Sequence, residues 1–232
     1  MLPDGVYLHE IPVYNFVTQR FDKVATTEVV SPVWDPTDSN RIAAYLKAKN
    51  GERSIILTDK QFSRVIRLFN LEALPDVVVR WLPDASALLL RGSGSTADTQ
   101  KLWLLKLSNS ELTALSPTGV TDALPSPNGQ HILYQTGEGE TALRYLLSVS
   151  DGSVRQLAGS GSIAKLAWRD SDSFFEPSSS GNSLTLTSTS GKQTSLPLTT
   201  PPAQSITAVC YLAAAKRIVF ATSTGLYTVN AP

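Results

Sequence analysis

The 232-residue chain carries 20 basic and 20 acidic side chains, so its formal net charge is zero; 42% of residues are hydrophobic and 17% charged. That balance excludes a disordered tail and leaves no surplus of Lys and Arg for a phosphate backbone, so no nucleic-acid partner is expected. The length suits one large all-β domain or two small ones, and no apolar run approaches the ~18 residues that span a bilayer.

In chain order, residues 6–11 and 16–23 read as two strands. They are followed by five repeats at about 29–74, 75–118, 119–161, 162–204 and 205–232. Each repeat opens on an aromatic or bulky slot, makes a turn about two residues later, and enters a short apolar run. The slots are Trp34, Trp81, Pro125, Trp168 and Tyr211, spaced 47, 44, 43 and 43 residues apart. The apolar runs behind them are 41–45, 88–90, 131–134, 174–175 and 217–220. A third set of runs lies at 54–57, 101–107, 143–149, 184–187 and 226–229, and a fourth at 65–68, 112–115, 154–157 and 194–198. Each is short, β-branched or leucine-rich, and bounded by Gly, Ser, Asn, Asp or Pro, which is the signature of strands and hairpins. A helical spacing of Phe62, Val65, Ile66 and Phe69 competes over 58–74, but the repeat assigns those residues to a fourth strand.

Four strands per ~45 residues is the size of one β-propeller blade. An isolated four-stranded unit leaves apolar side chains uncovered on both faces, and packing units around an axis covers them. The expected fold is therefore an all-β propeller of four-stranded blades across 1–232, with five blades and six as the runner-up. Residues 1–28 supply closing strands, so that both termini complete the last blade. In that geometry Trp34, Trp81, Pro125, Trp168 and Tyr211 are structural residues packing blade on blade.

The turns carry a resemblance. Trp34-Asp35-Pro36, Trp81-Leu82-Pro83-Asp84 and Ser126-Pro127-Asn128-Gly129 resemble the TolB-like propeller repeat, in which an aromatic precedes Ser-Pro-Asp-Gly and then an apolar run. Asp170-Ser171-Asp172 and Ala213-Ala214-Ala215 are degenerate versions in the last two repeats. The resemblance implies contact with proteins or peptides at the propeller face, and a periplasmic or extracytoplasmic setting. The opening Met1-Leu2-Pro3-Asp4-Gly5 shows no signal peptide, so the sequence itself leaves the compartment open.

Residues with chemical potential are few. The single Cys210 excludes an intrachain disulfide, and its apolar run 208–212 predicts a buried core position. His9 and His131 sit in alternating strand patterns and predict structural or surface roles. Gly92-Ser93-Gly94-Ser95 and Gly159-Ser160-Gly161-Ser162 match neither a nucleophile elbow nor a phosphate loop, and read as hairpin or inter-blade loops. Asp170-Ser171-Asp172 lacks the glycine and distal glutamate of a calcium loop. Acids such as Asp76, Asp122 and Glu176 are scattered. Asp122 could face a channel, with Arg80 and Lys165 beside it as a ligand-binding set for an anion or carboxylate. The Ser/Thr-rich stretch 171–205 keeps period 2 and predicts a weakly packed blade.

No catalytic set, metal site or cofactor is expected. The functional expectation is a non-catalytic protein-interaction scaffold, an accessory subunit of an envelope or membrane-associated assembly that reaches a membrane peripherally through its partner. Two alternatives compete with it: a gate or sensor domain of a larger protein, and a five-bladed carbohydrate-active enzyme working through paired acids.

Overall fold

The computed structural model describes residues 9–15, 20–26, 29–47, 53–61, 64–70, 77–92, 100–116, 119–178, 183–198 and 206–231. The chain forms two compact halves, Met1–Val120 and Thr121–Pro232. Every described sheet is antiparallel and built from strands consecutive in the chain.

In the first half, β1 (His9–Asn15) and β2 (Arg20–Thr26) form a hairpin. The first four-stranded sheet follows, made of β3 (Val29–Trp34), β4 (Arg41–Lys47), β5 (Arg53–Asp59) and β6 (Val65–Asn70) in that order. Of the helical alternative over 58–74, residues 58–59 end β5, Lys60 and Gln61 turn, and 65–70 form the strand β6; Phe62 lies outside the described residues. The second sheet is β7 (Val77–Trp81), β8 (Ala87–Gly92), β9 (Leu102–Lys106) and β10 (Leu112–Ala114).

The period of 2 explains how these sheets meet. Ala43, Tyr45, Ile55 and Leu57 project from one face of the first sheet. They join Val77, Val79, Trp81, Leu88, Leu90, Trp103 and Leu105 of the second in one core cluster. The alternate residues Ala44, Leu46 and Ile56 form a separate buried cluster on the opposite face. A strand covered on both sides must be apolar throughout, which is why β4 reads Ile42-Ala43-Ala44-Tyr45-Leu46 without alternation.

In the second half, the third sheet is β11 (Val120–Pro125), β12 (His131–Thr136), β13 (Leu143–Ser148) and β14 (Val154–Ser160). The fourth is β15 (Ala167–Trp168), β16 (Ser173–Pro177), β17 (Ser183–Ser188) and β18 (Gln193–Pro197). The fifth has three described strands, β19 (Ala208–Leu212), β20 (Arg217–Thr222) and β21 (Gly225–Asn230). Neighbouring Phe174 and Phe175 point to opposite faces of β16. Phe174 packs with Leu133, Leu146 and Ile163, whereas Phe175 packs with Val209, Ile218 and Phe220. The sheets thus follow the repeat, and the Ser/Thr-rich stretch does form β17 and β18.

Two expectations need correction. Cys210 is exposed, because β19 covers only one face: Val209 turns inward and Cys210 outward. Trp34 is 46% exposed where Trp81 is 7% exposed, so the slot is not uniformly a packing position. The difference is in the partner each ring finds. Trp81 reaches back to the sheet before it, while Trp34 stands at the rim of an open groove.

Candidate functional site

The turns behind the slots rest on carboxylate and amide caps. Asp35 Oδ1 accepts from Thr37 N (2.7 Å), Thr37 Oγ1 (2.8 Å) and Asp38 N (3.0 Å), and Oδ2 meets Arg41 Nη2 at 2.5 Å. Asp84 Oδ1 accepts from Ser86 N at 3.0 Å, and Asn128 Oδ1 from Gln130 N at 3.1 Å. Asp170 Oδ1 accepts from Asp172 N (2.9 Å) and Ser173 Oγ (2.8 Å), so that acid is occupied as a turn cap. Among the described residues no group of three or more His, Cys, Asp or Glu is placed to hold a metal.

Two concavities stand out, one in each half. In the first half, Pro32, Val33, Trp34, Pro36, Trp81 and Pro83 line an open groove of about 500 Å³, with Arg80 at its edge. Two slot rings and three prolines make it chiefly apolar. Each of these prolines fixes its own backbone φ, Pro32 within β3 and Pro36 and Pro83 just after β3 and β7.

In the second half, a cleft of about 650 Å³ opens between the third and fourth sheets. Its centre is an ion pair between Arg144 Nη2 of β13 and Glu176 Oε1 of β16, 2.5 Å apart, with side chains 5% and 20% exposed. A bulge aims the arginine. The β13–β14 ladder jumps from Leu143↔Ser160 to Tyr145↔Gln156, leaving three β14 residues opposite Arg144. Bulges of this kind redirect a side chain out of the regular ladder. The Ala158 carbonyl in the bulge accepts from Arg144 Nη2 at 3.1 Å. Gly159 completes the bulge with φ +80°, and a Cβ there would come within 2.7 Å of Nη2. At the mouth, Lys165 Nζ meets Glu140 Oε1 at 2.8 Å. That hydrogen bond and charge hold the Glu140 carboxyl below its usual range.

The residues foreseen as a ligand-binding set fall as follows. Arg80 of β7 edges the apolar groove. Asp122 of β11 is half-buried and its Oδ1 accepts from Ala123 N at 2.8 Å. Lys165 lines the polar cleft with Glu140 as its partner. His131 lies in β12 with a buried Nδ1 that has no hydrogen-bond partner, and His9 lies in β1. Asp76 and the Ser93–Ser95 part of the first glycine loop lie outside the described residues. Arg144 escaped sequence reasoning, although its signal was present: one arginine inside the apolar run Leu143-Arg144-Tyr145-Leu146-Leu147. A charge placed there needs a buried partner, and Glu176, directly after Phe174-Phe175, carries the matching signal.

No protein-family model matches the chain, and no curated protein matches it. Solved structures do. TolB from Acinetobacter baumannii superposes with a TM-score of 0.57 at 16% identity, covering 98% of this chain and 58% of that one. The C-terminal WD40 domain of Sif2 gives 0.63 at 18% identity, covering 97% and 60%. A chain of the nidogen/laminin complex gives 0.55 at 11% identity, covering 97% and 87%. This chain therefore spans about three fifths of the TolB and Sif2 chains, and at these identities the likeness concerns the fold. Consecutive antiparallel sheets of four strands, together with these likenesses, make the fold an all-β propeller of the TolB and WD40 type.

Proposed function

We propose that the chain is a non-catalytic protein-interaction scaffold, serving as an accessory subunit of a larger assembly. The observation that carries this reading is the apolar groove around Trp34. A half-exposed tryptophan, flanked by Pro32, Pro36 and Pro83 with Trp81 in the same groove, offers a large apolar surface. Aromatic anchors in preformed concavities are where protein interfaces concentrate their binding energy. Its partner is a protein segment presenting apolar side chains. No helix of the described residues is long and apolar enough to cross a membrane.

The test is affinity capture from the native source with the wild-type chain and with Trp34→Asp, at low and high salt, read by quantitative mass spectrometry. The expected result is a stoichiometric protein held by the wild type at both salts and lost from the variant. Trp34 is exposed enough for the variant to fold, which circular dichroism checks. The same proteins on both baits, or none on either, would overturn the scaffold reading.

A further inference from the structure

We infer that the cleft between the third and fourth sheets binds a small zwitterion, namely a free α-amino acid or a short peptide with both termini unblocked. The inference is independent of the scaffold reading, because the cleft belongs to the second half and shares no residue with the Trp34 groove.

Charge balance selects the ligand. The wall carries two cations, Arg144 and Lys165, and two carboxylates, Glu140 and Glu176. An anion would meet two carboxylates and a cation would meet two basic groups. A molecule bearing an ammonium and a carboxylate leaves the cleft neutral. The two pairs differ in how easily they open. Arg144 and Glu176 are buried together, whereas Lys165 and Glu140 are 31% and 82% exposed. An exposed pair contributes little and re-forms readily around a ligand. Lys165 then takes the ligand carboxylate and Glu140 its ammonium, while the inner pair holds the wall.

Arg144 is nearly enclosed and donates through Nη2 to both Glu176 and Ala158, so the inner wall of the cleft is fixed and only the mouth pair is free to rearrange around a ligand. The β14 bulge and the absence of a Cβ at Gly159 leave room for the guanidinium. Ser160 and Thr185 add hydroxyls that suit a peptide group. At about 650 Å³ the cleft lies in the size range of small-molecule sites.

The experiment is isothermal titration and thermal shift of the full chain with trialanine, alongside N-acetyl-trialanine amide, succinate and putrescine. Trialanine is expected to bind saturably and raise Tm, with the three controls at least tenfold weaker. Lys165→Gln and Glu140→Gln each lower trialanine affinity about tenfold while leaving the Tm of the free protein near wild type, since both side chains sit at the mouth. Equal binding of succinate or putrescine, absence of trialanine binding, or full affinity in both variants would each overturn the assignment.

Discussion

The Trp81 indole donates from Nε1 to the Val33 carbonyl at 3.0 Å, carrying a hydrogen bond from the second sheet to the first. Trp168 repeats the device one pair of sheets later, donating to the Leu124 carbonyl at 3.1 Å. Val33 and Leu124 both stand one residue before a slot, so the acceptor as well as the donor recurs with the repeat. In the first half a longer chain of contacts supports the ring. Asp35 holds Arg41, and the Arg41 guanidinium lies 5.2 Å from the centre of the Trp81 ring.

Trp81→Phe keeps most of the buried ring area but leaves the Val33 carbonyl without its donor. The expected loss is about 1–2 kcal/mol, and Trp81→Ala, which also opens a cavity, costs about 3–5 kcal/mol. Trp34→Ala should cost about 1 kcal/mol or less, because that ring is half in solvent already. Urea denaturation followed by tryptophan fluorescence ranks the three. A Trp34 loss equal to that at Trp81 would refute the distinction between the slots.

Asp35 links the same chain of contacts to pH. Burial by itself raises its pKa, but the bonds from Thr37, Arg41 and Asp38 outweigh it and hold the carboxyl below its ordinary 3.8. A depressed carboxylate contributes stability above the unfolded pKa, and that contribution disappears as pH falls through the folded one. The wild type should therefore lose stability relative to Asp35→Asn below about pH 4. At neutral pH the variant is less stable by about 2 kcal/mol. Thermal denaturation across pH 2–7 should show the two curves converging on the acid side (roughly the range in which carboxylates titrate).

The turn repeat closes on a conformation of its own. Gly129 and Ala85, each four residues after its slot, adopt φ +70° and +56°, and Lys216, five residues after Tyr211, adopts φ +48°. Left-handed backbone costs an ordinary L-residue about 1 kcal/mol that glycine does not bear. Lys216 is exposed, so Lys216→Gly gives up little packing and should stabilise the chain by up to ~1 kcal/mol, offset in part by unfolded-state entropy. Ala85 sits in the core cluster, and removing its methyl cancels the gain. A rise in Tm for Lys216→Gly without one for Ala85→Gly is the expected pattern.

Gly159 and Gly152 form a second controlled pair. Both have positive φ, +80° and +69°, but a Cβ on Gly152 meets nothing within 4 Å while one on Gly159 meets Arg144 Nη2. Gly152→Ala should cost about 1 kcal/mol of backbone strain. Gly159→Ala should cost more, since Arg144 is held by Glu176 and Ala158 and has to abandon one of them. Equal Tm losses would mean that the guanidinium moves aside freely.

How far the fold could be read ahead of the structure follows from which interactions are periodic. Strand runs, slots and turn caps recur every forty-odd residues, so weak signals reinforce one another. Even the degenerate Ala213-Ala214-Ala215 turn closes on a left-handed residue, Lys216, one position later than in the second and third repeats. The cleft was not legible in that way, because it is built where the repeat breaks. The bulge opposite Arg144 sets three β14 residues against one, and the Arg144–Glu176 pair joins side chains 32 positions apart, off the period of the repeat. Cys210 failed for a third reason: an apolar run marks a strand, but it does not say how many of its faces are covered.

Tyr134 and Tyr145 provide the alkaline counterpart to Asp35. Their rings stack 5.0 Å apart at 15°, on neighbouring strands of the third sheet. Burial first, and the Tyr145 phenol second, push the Tyr134 hydroxyl up to about 12 from its usual 10.0. A raised pKa means that the folded state keeps the neutral phenol where the unfolded chain ionises. The stability it contributes is complete below pH 10.0 and is lost as pH climbs toward about 12. Tyr134→Phe removes that dependence, so the variant should gain on the wild type across the same interval. Phenolate absorbance should show one fewer late-ionising tyrosine in the variant than in the wild type. Parallel alkaline unfolding of the two proteins would mean that the Tyr134 hydroxyl is reached by solvent in the folded state.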